Sequence, residues 1–409
     1  MYLRCIECGH THPPTLRYAC AACGGILRVK GESGLAPPPG LPPGMWRHAA
    51  RLGVTDPGAI VSLGEGETPL LRAPHLEAAI PGFRGELWLK DETRNPSGSF
   101  KDRAISAGIS KAIELGARGV VCASSGNAGA SVAAYAARAG LGAIIIVPAH
   151  TPDGKVTQIA AHGAVLLKVP GHYSRSYDLA AALAERHGYA NLTTTFINPW
   201  AVDGLKLVGP EIRAQLGGRV PDLVLVPTGS GPLVEGVARG FAAEGFAGAA
   251  GPRLVAVQAE GCAPIVRAFE AGAERVEAWG MPDTIASGIS DPLIGYERDG
   301  THTLRLVRQS RGTAVAVSDD ALRGAMRLLA RRAGLYAEPT GASPIAALPA
   351  LLARGLVPEG AVVVCLITGH GFKDGRAYQE MPARIHPVPE PGDLAAVARL
   401  CESALAEKD

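Results

Sequence analysis

Aromatic side chains are scarce in this chain. Seven Phe, four Trp and nine Tyr make up 5% of its 409 residues. A core for a chain of this length must therefore be mostly aliphatic. A large charge of either sign is also missing. The net charge of +2 argues against a dedicated nucleic-acid or acidic-membrane binder. Long apolar runs are absent too. The longest, Ala361 to Thr368, suits a strand and falls far short of the ~20 residues of a membrane span. The opening Met1-Tyr2-Leu3-Arg4-Cys5 does not read as a secretion signal, and no repeats or low-complexity tracts occur. These absences predict a cytoplasmic protein that binds neither membrane nor nucleic acid.

Glycine is plentiful, at 52 residues. That permits tight turns between strands and helices and close helix–sheet packing. The length predicts two or more domains. Of eight cysteines, four cluster in two CxxC turns, Cys5-Ile6-Glu7-Cys8 and Cys20-Ala21-Ala22-Cys23. A glycine follows each pair, where a knuckle needs positive φ. Four thiolates suit tetrahedral zinc, and a segment this short needs such a staple. Residues 1–30 are therefore expected to be a zinc-ribbon-like unit with Cys5, Cys8, Cys20 and Cys23 as ligands. Lys and Arg are not dense there, so a structural cap is expected. The four scattered cysteines and this spacing fit a reducing compartment.

Residues 31–46, with Pro37, Pro38, Pro39, Pro42 and Pro43, read as a stiff linker. From Val120 onward short apolar runs alternate with helical patterns. The runs are Val120–Ala123, Ile144–Val147 and Val165–Val169, then Asp222–Val226, Leu254–Val257 and Val362–Ile367. Such alternation predicts parallel sheets covered on both faces. Ser318 reads as a helix cap. Residues 386–409 read as a linker and a last amphipathic helix.

Three glycine- or serine-rich loops sit where strands give way to helices, the place where ligands gather in parallel sheets. Ser124-Ser125-Gly126-Asn127-Ala128 offers amides, hydroxyls and a helix N-terminus to an anion. Thr228-Gly229-Ser230-Gly231-Pro232-Leu233 lacks the third glycine of a dinucleotide fingerprint and fits a bare phosphate clamp better. Pro232 removes one amide donor from it. Thr368-Gly369-His370-Gly371 closes the last apolar run. A fourth stretch is Asn95-Pro96-Ser97-Gly98-Ser99-Phe100-Lys101-Asp102-Arg103. It places Lys101 at the mouth of a helix, where the helix field disfavours an ammonium and favours the neutral amine that makes a Schiff base.

That fourth stretch resembles the "NPTGSFKDR" segment of the pyridoxal phosphate enzymes related to tryptophan synthase β. Ser62–Leu70 resembles "SLGEGNTPL" and Thr368–Asp374 resembles "TGHGLKD", both of the threonine synthases. The likeness covers most of Ser62 to Asp374. It implies an α/β fold: two doubly wound α/β domains of the tryptophan synthase β-like type behind the small ribbon. The catalytic core would be 47–385, with a smaller subdomain at about 98–200 inserted in the larger.

The resemblance further implies that Lys101 carries pyridoxal phosphate and acts as the base. Thr228 to Leu233 would grip its phosphate, Thr368 would meet the ring nitrogen, and Asn127 the phenolic oxygen. Ser124, Ser125, Asn127 and Ala128 would hold the α-carboxylate of a small amino-acid substrate. Glu338–Ser343 would line the ring. The implied reaction turns O-phosphohomoserine and water into threonine and phosphate, in a homodimer. Lys90, Ser99, Asn198, Lys206 and Arg175 are the candidates to meet the substrate phosphate. One position departs from the pattern: Ala201 stands where these enzymes usually carry arginine. That leaves β-replacement or β-elimination on a phosphoserine-like or other amino acid as the alternative.

Overall fold

The computed structural model describes residues 1–124, 126–149, 151, 153–170, 173–379, 386–388 and 393–406. The chain divides into two compact units, Met1–Gly375 and Arg376–Asp409. The second contains helices over Arg376–Gln379 and Leu394–Ala406.

The first unit opens with β1 (Tyr2–Cys5), β2 (Thr11–His12) and β3 (Leu27–Lys30), an antiparallel sheet in the order β2-β1-β3. Period-two alternation sets its faces: Leu3, Cys5, Leu27 and Val29 are buried while Tyr2 and Arg4 are exposed. Gly9 and Gly24 take φ of 75° and 69°, as the two knuckle turns require.

Next come β4 (Leu70–Arg72), β5 (Glu86–Asp91), α1 (Lys101–Glu114), β6 (Val120–Ala123), α2 (Asn127–Ala139), β7 (Ala143–Pro148), α3 (Asp153–Ala161), β8 (Val165–Val169) and β9 (Ala190–Asn191). They are followed by α4 (Pro199–Gly204), β10 (Leu223–Pro227), α5 (Pro232–Ala243), β11 (Arg253–Ala259), α6 (Glu297–Gln309), β12 (Thr313–Val317), α7 (Pro339–Ala353) and β13 (Val362–Ile367). One sheet has the order β12-β11-β10-β13-β5-β4 and is parallel except for β4. The other, β8-β7-β6-β9, is parallel throughout.

Strands β10 and β13 are buried along their whole length, as parallel strands covered on both faces should be. Each fully buried Val, Leu or Ile among them contributes roughly 1.5–3 kcal/mol. Edge strand β8 departs from the sequence expectation, since Val165 is 56% exposed. β4 and β12 escaped the sequence reading, being short or interrupted by no clear turn signal. Ser318 caps its helix as expected, accepting from Ala321 N at 3.2 Å.

Strand order reverses between β10 and β13 in the first sheet and between β6 and β9 in the second. Such switch points open a crevice at the carboxyl ends of the strands. The loops after β5, β13 and β10 leave three adjacent strands at one such place, and those after β6 and β9 leave the other. Gly108 lets α1 lie close on α4: a Cβ there would meet Leu192 Cδ2 at 2.7 Å and Ala201 Cβ at 3.2 Å. No helix among the described residues is long and apolar enough to cross a membrane.

Candidate active site

The two crevices face one cavity of about 850 Å³, within the usual size of a small-molecule site. Lys101 lines it from the first position of α1. Its loop is held on two sides. Phe100 N donates to Thr368 O at 3.0 Å and His370 N to Gly98 O at 2.9 Å. Asp102, fully buried, accepts from Ser97 N at 2.6 Å, Ser97 Oγ at 2.5 Å and Ser131 Oγ at 2.6 Å. Lys101 Nζ donates to Thr194 Oγ1 at 2.8 Å and lies 4.6 Å from the Phe100 ring centre. Burial pulls the ammonium down to about 8, while Cys122, Asp291 and Glu338 pull weakly the other way. The helix field acts in the same sense as burial. Near neutrality this lysine is thus within reach of its amine form.

The clamp after β10 reaches the cavity through Gly229, Ser230, Gly231, Pro232 and Leu233. Gly231 has φ of 112°, and a Cβ there would sit 1.9 Å from Thr303 Oγ1, so only glycine makes this turn. Thr303 Oγ1 donates to Ser230 O at 2.6 Å and fixes the loop. Thr228 differs from expectation: its hydroxyl turns back to Val226 O at 2.7 Å and does not line the cavity. From the other sheet, Ser124, Asn127 and Ala128 line the cavity. Asn127 Nδ2 donates to Glu338 Oε1 at 2.7 Å. Gly369 makes that approach possible, because a Cβ there would fall 2.3 Å from Glu338 Oε1. Ser125 lies outside the described residues.

Thr368 tests whether pyridoxal phosphate suits this cavity. Its hydroxyl lines the cavity, is buried, and has no hydrogen-bond partner among the described residues. An orphaned buried hydroxyl costs about 1–3 kcal/mol unless a ligand atom satisfies it. A pyridine nitrogen does so. Together with a glycine clamp for a phosphate and a lysine of lowered pKa, the residues present fit the group.

A match to the family of pyridoxal-phosphate dependent enzymes spans residues 61–369. The threonine synthase of Methanocaldococcus jannaschii is 37% identical over 385 residues, covering 91% of this chain and 93% of that protein. The threonine synthase of Methanosarcina acetivorans is 35% identical over 392 residues, covering 91% and 92%. The chain belongs to the threonine synthase family. Among solved structures, the T.th. threonine deaminase superposes with a TM-score of 0.62 at 29% identity, covering 74% of this chain and 92% of that one. Maize serine racemase, at 22% identity and a TM-score of 0.64 over 77% of this chain and 91% of that one, shares the fold.

Several residues expected to meet a substrate phosphate in this threonine synthase family member stand elsewhere. Lys90 is wholly buried and gives its three protons to Thr68 O at 2.7 Å, Glu211 Oε2 at 2.7 Å and Gln215 Oε1 at 2.9 Å. Lys206 Nζ is held by Asp203 at 2.9 and 3.0 Å. Asn198 caps α4, accepting from Trp200 N and Ala201 N and donating to Asn191 O. Arg175 is exposed and donates to Pro170 O at 3.3 Å. Ser99 is buried with its hydroxyl unpartnered among the described residues, outside the cavity lining. The physical reason is common to the two lysines: an ammonium out of water takes the nearest carboxylate.

Sequence reasoning missed Thr194, Thr195, Asp291 and Lys373, all of which line the cavity. Asp291 Oδ1 accepts from Tyr296 OH at 2.7 Å and Leu293 N at 3.1 Å. Burial raises its pKa, against the pull of Tyr296. Lys373 Nζ donates to Gln158 Oε1 at 2.8 Å, and burial lowers its pKa. Lys373 was within reach of reasoning, since it lies in the stretch that resembles "TGHGLKD". Thr194 and Asp291 carried no motif.

In the ribbon, the sulfur atoms of Cys5, Cys8, Cys20 and Cys23 lie within 4.8 Å of one another. Cys5 and Cys23 are 3.5 Å apart, Cys8 and Cys20 3.6 Å. Tetrahedral Zn–S bonds of about 2.3 Å imply sulfur separations of about 3.8 Å, so the four thiols fit zinc.

Proposed function

We infer that this chain is a threonine synthase, converting O-phosphohomoserine and water to threonine and phosphate with pyridoxal phosphate on Lys101. The supporting observation is that Lys101, an orphaned Thr368 hydroxyl, a phosphate clamp and a second anion loop, from separate strand ends, line one cavity. Amides of Gly229, Ser230, Gly231 and Leu233 hold the cofactor phosphate, and Thr368 Oγ1 meets the ring nitrogen. A neutral hydroxyl at that position does not enforce a protonated ring. Ser124, Asn127 and Ala128 hold the substrate carboxylate.

Bound pyridoxal phosphate supplies an electron sink that makes the Cα–H and Cβ–H bonds of the amino acid acidic. Lys101 Nζ takes the proton at Cα and then one at Cβ. Lys373 Nζ holds the phosphate that departs from Cγ. Water adds at Cβ as hydroxide. Of the three protons freed, from Cα, Cβ and the water, one goes to Cγ, one returns to Cα and one leaves with the phosphate, Lys101 Nζ carrying them between carbons one at a time. The residues expected earlier for the phosphate are committed elsewhere. Among the described residues lining the cavity, Lys373 is the cation other than Lys101.

Asp291 and Glu338 also line the cavity, and Ala201 stands at its wall in place of an arginine. That charge balance favours a second reading, β-replacement or β-elimination on a phosphoserine-like or other amino acid. The cysteines hold a structural zinc over residues 1–30, the linker is 31–46, the catalytic core 47–385 and the tail 386–409. The reading includes a homodimer in the cytoplasm, by analogy with the family. The assay is direct. Cofactor-loaded protein with O-phosphohomoserine is expected to release phosphate and threonine in equal amounts. Phosphate without threonine, or neither product at full cofactor loading, would overturn the first reading.

A further inference from the structure

The cysteine ribbon is bound to the catalytic unit through charged groups that no step of the reaction uses. Arg28, on β3, points inward. Its Nη2 donates to Glu235 Oε2 at 2.8 Å, and its Nε lies 2.6 Å from Glu235 Oε1. Glu235 sits in the first turn of α5, four residues beyond Gly231 of the clamp, and its side chain is 3% exposed. His302 Nε2 lies 2.7 Å from the same carboxylate. The next residue along α6 is Thr303, whose hydroxyl fixes the clamp at Ser230 O. So one buried carboxylate ties together the ribbon, the clamp helix and the helix that pins the clamp.

Other ties run the same way. Arg298 of α6 donates to Gly24 O, in the second cysteine knuckle. Arg239 of α5 donates to Val29 O in β3 at 3.2 Å and to Asp203 in α4 at 2.7 Å. Trp200 of α4 donates to Thr15 O at 3.0 Å and packs on Leu3, Cys5 and Cys20. A ribbon this small has little core of its own, and metal binding supplies the folding energy of such units. An ordered β3 is needed to carry Arg28 to Glu235. Without it, a buried carboxylate loses its arginine partner.

We propose that the four-cysteine ribbon is a brace for the phosphate clamp, with Arg28 as its positioning residue, so that zinc at the cysteines and cofactor at the clamp strengthen each other's binding. This rests on the reading above, that the cysteines take zinc and Gly229 to Leu233 take the cofactor phosphate. Coupling between two sites is reciprocal. Each ligand must therefore change the other's affinity by the same factor.

The test uses the full chain. Zinc content and Schiff-base absorbance of the untreated protein are measured first; absence of either overturns the underlying reading, and the proposal with it. Pyridoxal phosphate is then titrated into zinc-loaded and chelator-stripped protein, following that absorbance. Zinc affinity is measured by chelator competition with and without cofactor. Stripping zinc is expected to weaken cofactor binding about tenfold, and removing cofactor to weaken zinc by the same factor. Arg28→Ala keeps all four cysteines and is informative even if the stripped chain unfolds. It is expected to retain zinc, weaken the cofactor by a similar factor and abolish the coupling, with Arg28→Lys recovering part of it. Equal cofactor affinity with and without zinc, or in Arg28→Ala and the parent, overturns the brace while leaving the active-site reading intact.

Discussion

Lys101 is part-buried at the start of a helix, and both conditions favour its neutral form. Free of cofactor, its ammonium titrates near 8, against about 10.4 for an ordinary lysine. Only the neutral amine attacks an aldehyde. The rate of cofactor addition to cofactor-free protein should therefore rise with pH and reach half its maximum near pH 8. A midpoint near 10 would mean an ordinary, solvated amine. Lys373 offers a second test at this scale. Removing a charged hydrogen-bonding partner costs about 1.5–3 kcal/mol. Lys373→Ala should thus raise KM for O-phosphohomoserine by roughly ten- to hundredfold, with cofactor absorbance retained. An unchanged KM would place the substrate phosphate elsewhere. The turn, the lysine and the helix start were legible in the sequence, but it was the resemblance of Asn95–Arg103 to "NPTGSFKDR" that singled out Lys101. The place of Lys90 was not legible: the carboxylate of Glu211 that claims it lies 121 residues away. Thr194 was equally hidden, because only the fold brings the end of β9 to the lysine.

At the scale of elements, α1 is held by buried charge as well as by apolar packing. Arg103 follows Lys101 by two residues and is wholly buried. It donates to Glu92 at 2.7 Å and to Glu211 at 2.6 and 2.7 Å. Lys90 completes the group by donating to Glu211. This cluster joins β5, α1 and the helix Val208–Gln215. Breaking such a pair leaves a buried charge without its partner. Glu211→Gln is expected to cost about 3–5 kcal/mol of stability, read from urea unfolding of the cofactor-loaded protein. A loss below about 1 kcal/mol would show that the cluster behaves like a surface ion pair. The strand-to-helix loops were readable as ligand loops because their residues are contiguous. Their convergence rests on strand order β13-β5 and β10-β13, which local pattern does not encode.

For the whole molecule, buried carboxylates held low by neighbouring cations, Glu211 and Glu235 among them, shape the behaviour in acid. Burial alone would raise Glu211 and Glu235. Arg103 and Lys90 reverse this for Glu211, and His302, Arg28 and Arg239 for Glu235, holding each at about 2. A carboxyl depressed on folding contributes stability above its unfolded value of about 4.3, and that contribution is lost as pH falls toward about 2. Unfolding free energy should accordingly decline steadily below pH ~4.3, and Glu235→Gln should flatten the decline. A profile unchanged by that substitution would remove Glu235 from the account. The α/β class was visible in the alternation of apolar runs and helical patterns. The edge exposure of β8 and the closing of the ribbon onto α4, α5 and α6 were not, since both depend on which faces meet. The residues beneath every one of these scales converge on one amine. Borohydride reduction of the cofactor-loaded protein, followed by peptide mapping, reads that amine directly. A single pyridoxyl adduct on the Lys101 peptide is the expected result; an adduct on Lys373 or any other lysine, or no adduct, contradicts the account.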